Sequence, residues 1–232
     1  MKVAIMQPYI FPYAPYFQLI SAVDVFVVYD DIKYTKKGWI NRNRFLRNGE
    51  AAYFTLPLRG GSDSLCVVER SLAADFSRDK LLGQFHGAYR KAPFFAVTYR
   101  LLEEIISCCD DNLFDFIKNS IVNICQYLEI KTKIINSSSL SVSPHLKAQS
   151  KVLAYCQMLG ADQYVNAIGG VDLYSADEFS HHAIELKFIK SDYFEYGQFS
   201  NDFVPYLSVI DALMFNSKEM VMNFIFNNYE LV

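Results

Sequence analysis

The chain is poor in the residues that announce the commonest chemistries. It has a single tryptophan, four histidines and five cysteines among its 232 residues. No Cys-x-x-Cys pair occurs, and His86, His145, His181 and His182 follow no ligand spacing, which argues against a zinc site. No Gly-x-Ser-x-Gly and no Ser/His/Asp ordering stands out, and Cys125 and Cys156 fall on apolar helical faces, so covalent catalysis is disfavoured. The Gly-x-Gly-x-x-Gly fingerprint of dinucleotide binding is absent. Excess positive charge is also missing. The net charge of −3 speaks against a broad nucleic-acid footprint and leaves any phosphate ligand to a local basic cluster. No run approaches about eighteen uninterrupted apolar residues, so no membrane span is expected. An odd cysteine count without a secretory leader predicts reduced thiols and a cytoplasmic location.

What the chain does have is rings: 19 Phe and 16 Tyr, within a composition that is 52% apolar and 20% charged. That is a globular composition, and most of the rings are expected in the core. The length suits one α/β domain, with possible lobes at 1–136 and 144–232 on either side of a Ser-rich connector. Strands are predicted over 2–6, 25–29, 131–135, 163–166 and 184–190. Asn48-Gly49 predicts an antiparallel hairpin over 40–47 and 51–57. Helices are predicted over about 14–22, from 76 to the break at Lys91-Ala92-Pro93, and then over 95–108, 112–128, 146–159, 174–181, 208–215 and 217–229. Cys108–Cys109 falls in a helical stretch, and His145 in a loop after Pro144. Tyr193–Pro205 reads as an aromatic loop. Helix alternating with strand predicts a mainly parallel, Rossmann-like α/β sheet with an antiparallel hairpin addition and a helical section.

Ligands of open parallel sheets collect outside the carboxyl ends of the strands. Three polar groups fall there. The first is Gln7, at the head of "MQPYIFPYAPYF", where three prolines and five aromatics crowd into twelve residues. Prolines stiffen a loop that presents rings and an amide to a ligand, or else Tyr9, Phe11 and Tyr13 simply cap the sheet edge. The second is Asp30–Asp31, which point to opposite faces if still in a strand, so that one could act as a base and the other be solvated. The third is Asn166 with Gly169–Gly170, where backbone could approach a ligand, or merely turn tightly. In "KKGWINRNR", an extended strand would put Trp39, Asn41, Asn43 and Phe45 on one face and Ile40, Arg42 and Arg44 on the other. The first face suits stacking and hydrogen bonding to a base or sugar, and the second suits a diphosphate. A charged edge strand that resists aggregation would explain the cations but not the paired asparagines, which are poor strand formers.

The run "AIMQPYIFPYAPYFQLISAVDVFVVYDDIKYTKKGWINRNR" resembles the opening of the WbqC-like family. The likeness continues through "AYRKAPFF", "LGADQYVNAIGGVDLY", "IELKF" and "FVPYLSVIDALMFNS", in order along essentially the whole chain. It implies a protein of bacterial O-antigen and surface-polysaccharide gene clusters that handles nucleotide-activated sugars. It also implies site residues Gln7, Tyr9, Pro12, Tyr16, Asp30, Asp31, Trp39, Asn41, Arg42, Asn43, Asn166, Gly169, Gly170, Tyr174 and Gln198. Pro15, Tyr206 and Ser150–Lys151 depart from the residues common in the family, which are Gly, Asn and Asp-Arg. The opening is also distantly similar to nucleotidylyltransferase-type Rossmann-like folds. Tyr13 and Tyr16 stand where those carry His, so this likeness extends to the fold alone.

Two functions follow as expectations. One is transfer of an acyl or aminoacyl group to the amino group of a nucleotide-linked deoxyamino sugar. Asp30 or Asp31 would be the base, and Asn41, Asn43 or the Gly169–Gly170 amides the oxyanion donors. Arg42 or Arg44 would hold the diphosphate, and coenzyme A or an acyl-carrier protein would bring the acyl group. The other is a non-catalytic sugar-nucleotide binding or assembly protein. A glycosyltransferase is a close variant of the first, although Asp30–Asp31 lacks the Asp-x-Asp spacing of its usual metal site.

Overall fold

The computed structural model describes residues 1–108, 110–143, 145–199 and 202–232. Cys109, Pro144, and Ser200 and Asn201 of the aromatic loop lie outside the described residues. In chain order the elements are β1 (Lys2–Met6), α1 (Ala14–Ser21), β2 (Val25–Val28), β3 (Arg42–Arg47) and β4 (Glu50–Thr55). Then come α2 (Arg78–Tyr89), α3 (Phe95–Ile106), α4 (Leu113–Tyr127), β5 (Lys133–Asn136), α5 (Ala148–Leu159) and β6 (Gln163–Ala167). The chain closes with α6 (Ala176–His181), β7 (Glu185–Ser191), α7 (Val209–Phe215), α8 (Lys218–Asn227) and β8 (Tyr229–Leu231).

Six strands form one sheet in the order β5-β2-β1-β6-β7-β8, parallel except where β8 runs against β7. β1 pairs with both β2 and β6, so the sheet takes strands from both sides of the Ser-rich connector. Burial on two faces explains the unbroken apolar run Val25–Val28, and alternation sorts its side chains. Val3, Ile5, Val25, Val27 and Tyr164 pack beneath α5 and α6, while Ala4, Phe26, Val28 and Val165 pack toward α1 and α8. The chain moves outward from β1 to β2 and β5, then returns through α5 to β6 on the other side. The strand order therefore reverses between β1 and β6, and a crevice opens at their carboxyl ends.

β3 and β4 form the separate hairpin, joined by Asn48 and Gly49 at φ 54° and 80°, as a type I′ turn requires. Phe85 of α2 meets the rings of Phe11, Phe45 and Phe54 edge-on, with centroids 5.1–6.2 Å apart, and this docks the hairpin onto the helical section. Cys108, expected in a helix, lies beyond α3, which ends at Ile106, and one predicted element changes type at its end. The final helix stops at Asn227, because Tyr229–Leu231 finds an open sheet edge in β7 and pairs there as β8. The twin-glycine segment is a 3₁₀ turn over Ile168–Leu173, and neither glycine has positive φ.

The link from β1 to α1 has neither a glycine nor a polar helix cap. Tyr13 makes no side-chain capping bond, and Pro15 sits in the first turn, where a missing N–H costs nothing. Phe11 adopts φ 42° with its ring fully buried. The segment has few donors of its own, so its carbonyls are satisfied from elsewhere. Asn43 Nδ2 donates to Ile10 O (3.0 Å) and Phe11 O (2.8 Å), Ser208 Oγ also donates to Phe11 O (2.7 Å), and Val209 N donates to Pro12 O (2.9 Å). The aromatic loop 192–207 is tied by Asp211, whose carboxylate accepts from Tyr89 (2.9 Å), Tyr196 (2.7 Å) and Gln198 (2.7 Å). Burial pushes the Asp211 carboxyl up to about 6, against the pull of those three donors.

Replacing Asn43 by Ala leaves buried carbonyls short of a donor and is expected to cost about 1–3 kcal/mol, measured by urea unfolding. Asp211 binds its proton more tightly folded than unfolded, so its contribution to stability is lost as pH rises from 3.8 to about 6. Between about pH 4 and about pH 7, wild type should lose about 3 kcal/mol relative to Asp211→Asn, read from unfolding midpoints at each pH.

Candidate functional site

A cavity of about 330 Å³ opens at the crevice between β1 and β6. Six of the predicted residues line it: Tyr9, Pro12 and Tyr16 from the N-terminal segment, and Trp39, Asn43 and Arg44 from the hairpin. Met6 and Ala167 contribute the ends of the two strands, and Tyr13, Pro15 and Tyr206 complete the wall. Arg44 is the charged group. Its Nη2 donates to Tyr206 O (2.9 Å), its guanidinium lies 5.5 Å from the Trp39 ring centre, and its Nε is buried with no partner. Among the described residues no carboxylate pairs with Arg44. A cation so placed on an aromatic wall is suited to an anionic group.

A second cavity, of about 380 Å³, adjoins the first and shares Tyr13, Pro15, Ala167 and Tyr206 with it. Gly169 lines this one, beside Ile168, and a side chain there would meet only open space. The remaining wall comes from the end of β7 (Ile189, Ser191, Asp192), the aromatic loop (Tyr193, Phe194, Tyr196, Phe203) and Gln18 of α1.

Trp39 does not share a face with the asparagines. Residues 39–41 are bends, and the strand begins only at Arg42, so the alternation does not extend back to the ring. Trp39 instead stacks on Tyr53 (6.2 Å, 23°), and Arg42 lies 4.9 Å over Tyr53. Arg42 itself donates to the carbonyls of Gly38 and Lys37 and lines neither cavity. Asn41 is spent inside the protein, its amide donating to Leu56 O and accepting from Tyr34 (both 2.8 Å). Asn43 borders the cavity, but its Nδ2 is taken by the loop carbonyls and its Oδ1 accepts from Arg44 N (2.8 Å).

Asp30 and Asp31 also depart from the predicted arrangement. β2 ends at Val28, so strand alternation no longer holds, and both carboxylates converge on Ser137 Oγ. Asp30 is fully buried and further accepts from Ser138 N (2.8 Å) and Ser138 Oγ (2.6 Å). Asp31 pairs with Lys151 Nζ at 2.7 Å and accepts from Tyr155. Burial alone would raise the Asp31 carboxyl, but bonds from Lys151, Ser137 and Tyr155 hold it below its ordinary value. Burial and the neighbouring Asp31 charge push the Tyr155 hydroxyl up to about 12. Neither aspartate lines a cavity.

The other predicted residues do not line the cavities. Gln7 accepts from Tyr9 through its side chain (3.4 Å) and from Tyr16 through its carbonyl (2.8 Å). Asn166 caps Ala167 N (2.7 Å), and its amide packs so close to Gly170 that an added Cβ would sit 3.0 Å away. Tyr174 accepts from Tyr164 (3.4 Å) beneath the sheet, and Gln198 braces the aromatic loop through Asp211 and Val204. Neither Asp192 nor Asp211 is among the residues expected from the sequence. The latter left a signal, being a lone carboxylate within the apolar helix "VIDALMF".

Among the described residues, no group of three or more His, Cys, Asp or Glu side chains is arranged to hold a metal ion, and no helix is long and apolar enough to cross a membrane.

Comparison with known proteins now adds context. A protein of Mycobacterium tuberculosis, described as "Uncharacterized protein Rv1507c", is 28% identical over 220 residues, covering 93% of each chain. No solved structure matches. The model of the WbqC-like protein family matches residues 7–223, a span that holds the hairpin and every residue lining the two cavities except Met6 and Phe224. The chain belongs to the WbqC-like protein family.

Proposed function

We propose that the chain is a transferase of bacterial surface-polysaccharide synthesis that acts in the cytoplasm on a nucleotide-linked deoxyamino sugar. The observation that carries this reading is the aromatic cavity at the β1/β6 crevice, whose guanidinium has no carboxylate partner. Rings of Tyr9, Tyr13 and Trp39 suit a base or sugar face, and Arg44 suits the diphosphate. The adjoining cavity gives the cleft room for a ligand with two chemically different ends.

The transfer itself needs no covalent enzyme intermediate. The sugar nitrogen attacks the acyl carbonyl carbon, the bond from that carbon to the donor's leaving group breaks, and nitrogen gives up one proton. Coenzyme A or an acyl-carrier protein is the proposed donor. A second reading, non-catalytic binding of the sugar nucleotide, is favoured by one observation. The expected bases, Asp30 and Asp31, stand outside both cavities with their oxygens engaged by Ser137, Ser138 and Lys151.

Trp39 is the sole tryptophan and lines the cavity, so its fluorescence reports occupancy directly. A deoxythymidine diphosphate sugar is expected to change that signal, and Arg44→Ala to weaken its binding by about tenfold or more. Binding unaffected by Arg44→Ala would remove the phosphate assignment. Incubation with amino-sugar nucleotides and acyl donors, followed by mass spectrometry, separates the two readings, since only the transferase yields an acylated sugar.

A further inference from the structure

The two cavities are opposite in polar character. In the first, the charged group is the guanidinium of Arg44. In the second it is Asp192, the residue after β7, and no Lys or Arg among the described residues lines that wall. Gln18 lines the second cavity as well. It is fully buried, its Nε2 is spent on Phe224 O (3.0 Å) and Asn228 O (2.9 Å), and its Oε1 has no hydrogen-bond partner. Asp192 is fixed through its backbone, since its N–H donates to the same Asn228 carbonyl (3.0 Å), while no ion pair among the described residues engages its carboxylate. Lys190 feels that charge, but its ammonium is paired with Glu230 at 2.6 Å.

We infer that Asp192 is the anchor for the ligand's amino group, so that the cleft reads one molecule at two ends: anion at Arg44, ammonium at Asp192. This rests on the amino-sugar nucleotide reading above and deepens it, because it names the residue that recognises the amine. The physical reason is complementarity. A phosphate beside Asp192 would be repelled, and an ammonium beside Arg44 likewise, so the orientation of a ligand carrying both charges is set before any contact is optimised. The shared wall of Tyr13, Pro15, Ala167 and Tyr206 lets one ligand extend from one cavity into the other. For acylation the ammonium first passes one proton to this carboxylate, which frees the nitrogen lone pair, and the second proton, released as the amide forms, leaves with the donor's thiolate.

The test uses the intact chain and a matched pair of deoxythymidine-diphosphate sugars that differ only in an amino or a hydroxyl group. Wild type is expected to bind the amino sugar about tenfold more tightly, by calorimetry and Trp39 fluorescence. Asp192→Asn should erase that preference while leaving affinity for the hydroxyl sugar and the thermal midpoint unchanged, because the side chain is exposed. Arg44→Ala should weaken both sugars alike. Equal affinity of wild type for the two, or a preference that survives Asp192→Asn, overturns the amine anchor and leaves the nucleotide site standing. Failure of both sugars to bind overturns the nucleotide site and the amine anchor together.

Discussion

The site depends on one side-chain amide. Asn43 spans the gap between the hairpin and the N-terminal segment, giving both hydrogens of its Nδ2 to the carbonyls of Ile10 and Phe11. With prolines at 8 and 12, the stretch between β1 and α1 forms neither helix nor strand, and its buried carbonyls would otherwise be unpaired. The left-handed φ of Phe11 is tolerated because its ring is locked among Phe54 and Phe85. Removing water from a carbonyl without replacing the bond costs more than a typical hydrogen bond contributes. The asparagine is therefore worth more than its weak strand propensity loses.

The carboxyl edge of the sheet is used differently on its two faces. Toward α5, Lys151 reaches Asp31 and lies 5.1 Å over the Tyr29 ring, so the polar groups of β2 are consumed by α5 and the Ser137–Ser139 turn. Toward α1, the N-terminal segment stands off from the ends of β1 and β6, and space remains between rings. Prolines and aromatics suit this role, because a stiff wall loses little entropy when a ligand settles against it. The aromatic loop forms the far wall and is held by Asp211, a carboxylate whose burial is made tolerable by three donors.

Much of the site was legible because its residues are unusual for the elements that carry them. Tyr9, Pro12 and Tyr16 crowd a connection that ordinarily needs a glycine or a cap, while Arg44 shares a strand with Asn43 and Trp39 stands just ahead of it. All of these border the cavity. Asn41 carries the same signal as Asn43, yet turns inward to Leu56 and Tyr34, because nothing local distinguishes an amide that clamps backbone from one that faces space. Asp192 left no pattern at all. It follows β7 in a polar run, and only the packing of α1, α8 and the aromatic loop makes that point a wall.

By itself, the sequence determined the mainly parallel α/β sheet, the Asn-Gly hairpin and the strand ends where polar groups gather. These follow from local periodicity and from backbone geometry that few residues can adopt. Only the tertiary structure decided which of those polar groups stay available. A carboxylate or amide is taken or free according to donors and acceptors far away in the chain, and Ser137 and Lys151, more than 100 positions from Asp31, settle its fate. Side-chain chemistry can be read residue by residue, whereas hydrogen-bond satisfaction is a property of the whole packed molecule.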